Sequence, residues 1–317
     1  MPFLLKFVQK LQTETAQELF ASYATAQVKL PIPVMDTMFR QATADGQGLM
    51  ENDCVDFWGA TCTGKTSILT HITAQTILPK IWKIQVDGQP IEVELNGNGR
   101  SVVFIDLDLQ FSVNRLYSMT LNRVTEAIKQ CSANVKAKLI GYDEEIHKLV
   151  LNSLARCHTF RLTTIGDLST TILGLSRWLH SHPDENFQYI MIDSISSVLW
   201  DKRDGTNIHH QLYGSHANNL FNHITSTLRK LQSQWNFVVC TTTRKIGANP
   251  TDEIPLCWSK FWTFRVELRR LDSDLANPLA DYQLCVVRSS RANISMDAFQ
   301  KDITFRYAIK DNDIISI

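Results

Sequence analysis

The chain has little cysteine, and its cysteines show no pairing pattern. There are seven in 317 residues, an odd number without a CxxC pair. An odd, scattered set does not predict a disulfide framework, and the absence of a CxxC pair argues against a structural zinc site. Several of the seven lie inside apolar runs, which predicts buried free thiols in a reducing compartment. They are Cys54, Cys62, Cys131, Cys157, Cys240, Cys257 and Cys285.

The chain also lacks net charge, long apolar runs and internal repeats. Lys and Arg together number 32, as do Asp and Glu, so nucleic-acid contact would have to come from a local basic patch. No apolar run approaches the length of a membrane span. The apolar start is interrupted by Lys6, Gln9 and Lys10 before it forms a signal-peptide core. We expect a soluble, intracellular protein without a membrane partner.

One glycine-rich segment carries a chemical motif, a phosphate loop of the form GxxxxGKT. An apolar strand pattern precedes it and a helical pattern follows it, as the motif requires. Glycines allow the backbone N–H groups to turn inward, and the helix N-terminus adds to this anion site. The alternative is a glycine turn that happens to end in Lys-Thr. The predicted nucleotide-binding residues are Gly59, Ala60, Thr61, Cys62, Thr63, Gly64, Lys65, Thr66 and Ser67.

Four apolar runs alternate with helical patterns and predict an α/β fold, a mostly parallel sheet flanked by helices. Three later runs, from residues 264, 282 and 303, predict an antiparallel edge near the C-terminus. Residues 81–95 predict a surface hairpin that turns at Asp87-Gly88, and residues 96–99 a flexible exit. The simplest division is an N-terminal extension with a linker helix over residues 1–50 and one core domain over 51–317.

Acidic residues end two of the predicted core strands. In a phosphate-loop fold, Asp193 would lie beside Lys65 and Thr66 and hold the water shell of Mg²⁺, with Thr66 as a further ligand. The alternative is an ordinary acid at a strand end. Asp106 and Asp108 end the other run, and only one of them is expected to face the site. An acid at that place orients an attacking water, whereas Asp106 is alternatively a structural cap.

The order of these motifs resembles the ATPase core of RecA-like recombinases and, more specifically, the eukaryotic recombinase paralogues. The phosphate loop alone is shared by many unrelated proteins, but the combination is more specific and covers about residues 30–245. Besides the loop it includes Ile77-Leu78-Pro79, Phe104-Ile105-Asp106-Leu107-Asp108, His182-Pro183, Ile192-Asp193-Ser194-Ile195-Ser196, Trp200, Arg203, Gly205 and the run Val238-Val239-Cys240-Thr241-Thr242.

This resemblance implies a RecA-like P-loop core that binds ATP and Mg²⁺. By the matching motifs, Gly64, Lys65 and Thr66 would hold phosphate and metal. Asp193 would hold the metal, and Arg115 would stack on adenine. The resemblance also implies a nuclear DNA repair protein that acts in homologous recombination. Such a subunit forms hetero-oligomers with other recombinase paralogues and assists recombinase filaments on single-stranded DNA, directly or through the complex.

Two departures from the family pattern predict weak or absent hydrolysis. Active recombinases have Glu where this chain has Asp108, the catalytic candidate, and a misplacement of about 1 Å costs on the order of a hundredfold in rate. Their Asn-Gln pair, which senses the γ-phosphate, is replaced by Thr242-Thr243. Two other functions remain open, an active DNA-dependent ATPase and a small-molecule P-loop kinase. The kinase would need an acceptor pocket and an arginine-bearing lid.

Direct DNA contact has candidate residues, each with an ordinary alternative. The loops over 201–205 and from Arg244-Lys245 onward match the places where such cores touch DNA. The aromatic candidates for base stacking are alternatively a core or interface cluster. Phe39, in a Phe-x-x-Ala pattern that recombinases use for docking, is alternatively a core residue. The further candidates are Arg265, Arg269, Arg270, Arg288, Arg291, Trp258, Phe261 and Trp262.

Overall fold

Helices and strands alternate through most of the chain. The computed structural model describes residues 26–43, 45–199, 215–245, 255–270, 281–289, 304–310 and 313–316. The strands are β1 Cys54–Gly59, β2 Ile81–Val86, β3 Gln89–Glu94, β4 Ser101–Asp106, β5 Cys157–Arg161, β6 Phe187–Asp193, β7 Val238–Arg244, β8 Phe264–Arg270, β9 Asp281–Ser289, β10 Thr304–Lys310 and β11 Asp313–Ser316. The helices are α1 Pro33–Gln41, α2 Lys65–Ile77, α3 Val113–Gln130, α4 Ala133–Lys138, α5 Asp143–Leu154, α6 Ile165–His180, α7 Ile195–Leu199, α8 Ser215–Trp235 and α9 Leu256–Phe261.

Nine strands form one sheet in the order β11-β10-β9-β8-β1-β7-β6-β4-β5. The six strands from β8 to β5 run parallel, and β9, β10 and β11 continue the sheet as antiparallel strands. Strand β1, which leads into the glycine-rich loop, lies between β7 and β8. The predicted α/β class with a mostly parallel sheet and flanking helices is confirmed.

Side chains of the central strands alternate between two apolar cores, one on each face of the sheet. Val102 and Phe104 of β4 pack with α1 and α2 in the first core. Val103 and Ile105 pack with α6 and α8 in the second core. Strands that are buried on both faces read as continuous apolar runs, which is why the sequence showed them plainly. Phe39 of α1 lies in the first core with its ring centroid 4.6 Å from that of Phe264.

Strand β8 corrects one expectation from the sequence. The run from residue 264 was expected to begin the antiparallel edge, but β8 pairs parallel with β1, Val55 opposite Phe264. The antiparallel part begins with β9, which pairs with β8 on its other side. An alternating pattern marks a strand but does not give its direction, so only the pairing settles this point.

The predicted hairpin is confirmed as β2 and β3, whereas the prediction of a flexible exit over residues 96–99 is wrong. Asp87 and Gly88 turn the chain with φ of 51° and 75°, and the apolar side chains of the hairpin pack against α3 and α5 in a third core. The exit is fixed to the end of α2. Gln75 Nε2 donates to the carbonyl of Leu95 at 3.1 Å, and Gly99 N donates to that of Leu78 at 2.7 Å.

Some sequence predictions lie outside the described residues. These are the first 25 residues of the predicted N-terminal extension, Trp200, the loop over 201–205, and Arg291. Residues 127–154 comprise the end of α3 and the separate helices α4 and α5. Within the described ranges, no helix combines the length and apolar character that crossing a bilayer requires.

Gly97 gives a stability prediction, because its backbone passes directly over α2. A Cβ at this position would lie 2.0 Å from the carbonyl oxygen of Leu78. We expect Gly97→Ala to lower the free energy of unfolding by about 1–3 kcal/mol, since the exit would have to move away from α2. Urea unfolding followed by circular dichroism measures the change.

Gly174→Ala is the matched control. Gly174 lies within α6, and a Cβ there would have no heavy atom within 4 Å. This substitution should raise the free energy of unfolding by about 0.5–1 kcal/mol because alanine is the better helix former. Equal stability of the two variants would contradict the packing of the exit.

Candidate functional site

A cavity of about 910 Å³ opens at the carboxyl ends of β1, β4, β6 and β7. Ligands of open parallel sheets bind at this end of the strands. Most residues that the sequence predicted for the nucleotide and metal site line this cavity, and Gly59 and Ala60 form the turn that enters the loop. The lining residues are Thr61, Cys62, Thr63, Gly64, Lys65, Thr66, Ser67, Asp108, Gln110, Arg115, Asp193, Ser194, Ser196, Ser197 and Arg244.

The glycines of the loop are required by its geometry. A Cβ on Gly59 would lie 2.5 Å from the carbonyl oxygen of Leu268 in β8, so a larger residue would push the two strands apart. Gly64 has φ of 83°, in the left-handed region that favours glycine, and it is the residue immediately before α2. The loop therefore turns sharply and brings the N-terminus of α2 to the cavity.

Lys65 holds its ammonium inside the loop. Nζ donates to the carbonyl of Gly59 at 3.0 Å and to that of Ala60 at 2.5 Å. The pKa of Lys65 is lowered to about 8, chiefly by burial and also by the nearby charge of Arg244, while the charges of Asp193 and Asp56 oppose the change. An anion in the cavity would favour the charged form, because its negative charge would replace lost hydration.

Asp193 is the buried carboxylate of the site. Its side chain is 2% exposed, and the Thr242 hydroxyl donates to Oδ1. Oδ2 has no hydrogen-bond partner among the residues that the structure describes. Burial raises the pKa of this carboxyl, whereas the hydroxyls of Thr242 and Thr66 oppose the rise. A buried oxygen without a partner costs free energy unless a cation or donor satisfies it, so this atom fits a Mg²⁺ ligand.

Binding of Mg²⁺ would depend on oxygens of a bound phosphate as well as on protein side chains. Among the residues that the structure describes, no group of three or more His, Cys, Asp or Glu side chains is arranged to hold a metal ion. Mg²⁺ is commonly bound by one or two protein oxygens together with phosphate oxygens and water. Thr66 and Asp193, which interact with each other, suit that arrangement.

The two acids after β4 take different positions. Asp106 is fully buried and caps the following turn, accepting from Gln110 N at 3.1 Å and Phe111 N at 3.2 Å. Asp108 is exposed and lines the cavity. The expectation that only one of them faces the site is therefore confirmed, and Asp106 is the structural cap.

Arg115 lies at one side of the cavity, near the start of α3. Its Nη2 donates to the hydroxyl of Ser67, the second residue after Lys65, at 2.7 Å. Burial lowers the pKa of this guanidinium. The contact ties α3 to the beginning of α2 and leaves the planar group beside the loop. Stacking on adenine stays a prediction.

Thr242 and Thr243 stand where the resemblance places the γ-phosphate sensor, and both donate hydrogen bonds to carboxylates. Thr242 donates to Asp193, as described above, and Thr243 donates to Oδ1 of Asp56 at 2.5 Å. Both side chains are buried, and neither residue lines the cavity. Their hydroxyls thus donate to acids, and the expectation that they reach less far than Asn-Gln stays a prediction.

Several lining residues had no role in the sequence prediction. Ser194, Ser196 and Ser197 follow Asp193. Their repeated hydroxyls are the feature of the sequence that could have indicated them as residues of the site. The Ser197 hydroxyl donates to the carbonyl of Leu107 at 3.0 Å and joins α7 to the segment that follows β4. Arg244 was expected at a DNA contact, but it lines the cavity, and its backbone N donates to the Ser196 hydroxyl at 2.7 Å.

A buried ion pair lies beneath the loop. The Nε of Arg265 in β8 is 3.1 Å from Oδ2 of Asp56 in β1. The guanidinium lies between two indole rings, with its carbon 4.5 Å from the ring centroid of Trp58 and 4.5 Å from that of Trp262. Burial raises the pKa of Asp56, whereas Arg265 and the hydroxyls of Thr243 and Thr241 oppose the rise.

These contacts correct several candidates for DNA binding. Arg265 is buried, as are the side chains of Trp258, Phe261 and Trp262, so the core interpretation of the aromatic residues is the right one. Lys245 Nζ and Arg269 Nη2 both pair with Glu267, at 2.9 Å and 2.6 Å. Arg270 is exposed. The side chain of Arg288 and all of Arg291 lie outside the described residues.

The sheet order and the cavity define the class of protein, an α/β protein with a RecA-like core and a polar site at the carboxyl ends of its central strands. No family model matches the chain. The DNA repair protein XRCC2 homolog of Arabidopsis thaliana is 26% identical in an alignment over 215 residues that covers 61% of this chain and 55% of that protein. The DNA repair protein XRCC2 of Mus musculus is 30% identical over 160 residues, 50% of this chain and 46% of that protein.

The chain spans about half the length of the curated relatives that it matches. Both relatives are DNA repair proteins by name. The resemblance predicted from the motifs, to the recombinase paralogues and among them to XRCC2, is confirmed at this level of similarity. The nucleotide, the metal and the roles of individual residues stay predictions.

The ion pair of Asp56 and Arg265 gives a prediction about stability. We expect Arg265→Met to lower the free energy of unfolding by about 3–5 kcal/mol, because it leaves a carboxylate buried without its cation. The double variant Asp56→Asn/Arg265→Met should lose less than Arg265→Met alone, since no charge then stays uncompensated. Urea unfolding midpoints measure both.

The matched control is Arg270→Met, an exposed arginine at the end of the same strand. It should change stability by less than about 0.5 kcal/mol. If Arg265→Met and Arg270→Met unfold at the same urea concentration, the buried pair contributes nothing and the argument fails.

Proposed function

We propose that the chain is an ATP-binding subunit of the machinery for DNA double-strand break repair by homologous recombination, with weak or no hydrolysis. It would act in the nucleus within a complex of recombinase paralogues and assist recombinase filaments on single-stranded DNA. One observation carries the nucleotide part. The Lys65 loop lines the same cavity as Asp193, whose Oδ2 has no hydrogen-bond partner among the described residues.

The cavity suits a triphosphate on chemical grounds. The N-terminus of α2 favours an anion, and Lys65 adds a positive charge that is already largely desolvated. Thr66 and Asp193 would hold Mg²⁺, which neutralises phosphate charge when bound. Arg115 would contact the base from its place beside Ser67.

Weak hydrolysis is favoured by the acids and hydroxyls around the cavity. Asp108 is a methylene shorter than the glutamate of active recombinases and lies exposed at the rim. Thr242 and Thr243 donate to carboxylates, so their hydroxyls are not directed at a terminal phosphate. Binding needs none of these three groups, whereas activation and positioning of water depend on such groups.

Contact with single-stranded DNA is proposed to run through the paralogue complex. Of the cationic candidates in the described part of the chain, Arg265 is buried, and Lys245 and Arg269 pair with Glu267. A cation that already pairs with a carboxylate gains less from a phosphate. The zero net charge adds no general attraction for a polyanion.

The nucleotide assignment predicts that Lys65→Ala weakens binding of MgATP by about tenfold to a hundredfold, because a hydrogen bond to a charged group contributes about 1.5–3 kcal/mol. Isothermal titration calorimetry on the purified chain measures the affinity. Lys80→Ala is the matched control, since Lys80 is exposed and lies beyond the far end of α2. It should bind MgATP as the unaltered chain does.

Phosphate release by the same proteins separates the competing functions. We expect turnover by the unaltered chain close to that of Lys65→Ala. Equal MgATP affinity for Lys65→Ala and Lys80→Ala would contradict the nucleotide site. Robust turnover that depends on Lys65 and rises with single-stranded DNA would instead support the active ATPase, and phosphate transfer to a nucleoside acceptor would support the kinase.

The repair assignment predicts which proteins the chain binds. The tagged full chain, incubated with nuclear extract from its own source, should retain recombinase paralogues, identified by mass spectrometry and enriched at least about tenfold over a tag-only control. If the retained proteins include no recombinase relative above that control, the paralogue complex is wrong even where MgATP binds.

A further inference from the structure

Cys62 lies in the middle of the phosphate loop and lines the cavity. Its backbone has φ of 61°, in the left-handed region that favours glycine. Of the cysteines whose side chains the structure describes, Cys62 alone is exposed. A side chain with a reactive sulfur therefore stands where the cavity meets solvent.

The other described thiols are less accessible. Burial raises the pKa of Cys157 to about 12 and that of Cys54 and Cys240 well above the usual range. Cys257 and Cys131 are partly buried, and Cys131 Sγ donates to the carbonyl of Ala127 at 3.4 Å. A reagent that attacks thiolates should therefore meet Cys62 before these.

Two neighbouring residues explain why a group attached to this sulfur would interfere with a ligand in the cavity. Lys65 lies three residues further along the same loop, close enough that a charge on Cys62 favours its ammonium. Asp193, 2% exposed with Oδ2 unpartnered among the described residues, lines the same cavity and independently indicates that a ligand belongs there. A group attached to Cys62 would occupy the volume that this ligand needs.

We propose that Cys62 is a thiol-modification site at which a low-molecular-weight disulfide, such as glutathione disulfide, blocks nucleotide binding. The Cys62 thiolate attacks one sulfur of the reagent, a new S–S bond forms and the original S–S bond breaks. The second half leaves as a thiolate and takes up the proton that Cys62 released. Cys62 is oxidised and the reagent is reduced. An excess of reduced thiol reverses the exchange.

The proposal rests on the proposed nucleotide function and predicts mutual exclusion. The full chain is treated with glutathione disulfide, with and without MgATP, and the modified cysteines are located by peptide mass spectrometry. We expect Cys62 to react first, MgATP to slow its modification at least about tenfold, and the modified chain to lose at least about tenfold in MgATP affinity. Dithiothreitol should restore the affinity.

Two variants control the assignment. Cys62→Ser, compared with itself before and after treatment, should show no change in MgATP affinity, whatever its starting value. Cys131→Ser should stay as sensitive as the unaltered chain, because it removes a partly buried thiol far from the loop in sequence.

The outcomes separate the two proposals. Modification of other cysteines ahead of Cys62, or a chain modified at Cys62 that binds MgATP as before, would overturn the thiol site alone. An untreated chain that binds no MgATP would overturn the nucleotide function, and with it the proposed regulation. In that case peptide mapping would still show modification of Cys62 without protection.

Discussion

The arrangement of the central sheet depends on the groups that pair with one buried carboxylate, that of Asp56 in β1. Asp56 is fully buried three residues before the loop, where a lone charge would be strongly unfavourable. Thr241 and Thr243 of β7 donate to it from one side, and Arg265 of β8 pairs with it from the other. These contacts fix both neighbours of β1, so the loop leaves the sheet at a defined place against β8.

Two buried aspartates in neighbouring parts of the sheet thus have different roles. Asp56 receives an ion pair and two hydroxyl donors, and both of its oxygens are engaged. Asp193 accepts from Thr242 on one oxygen, and the other oxygen accepts no hydrogen bond from the residues that the structure describes. The sequence shows both as acids in apolar runs. Both acids are buried, so burial does not distinguish them. Asp193 differs in its hydrogen bonds, because one of its oxygens has capacity left for a ligand.

Local patterns predicted the local structure, but they did not give the long-range pairings. The loop, its flanking strand and helix, and the turn at Asp87-Gly88 depend on neighbouring residues, and each was predictable. The parallel direction of β8, the burial of Arg265 and the pairing of Lys245 with Glu267 depend on strand order, which no periodic pattern encodes. The exit from the hairpin is likewise fixed by Gln75 from another element.

In the proposed function, a nucleotide would serve this site without being consumed. The cavity joins residues from the ends of β1, β4, β6 and β7, so in the proposed function a bound triphosphate would stabilise those ends together. At a hundred times its Kd, a ligand adds about 2.7 kcal/mol to the folded state. This contribution needs the charge of Lys65 and the free oxygen of Asp193, but not a group that activates water. Selection for binding alone would keep the loop and Asp193 while Asp108, Thr242 and Thr243 departed from the pattern of active recombinases.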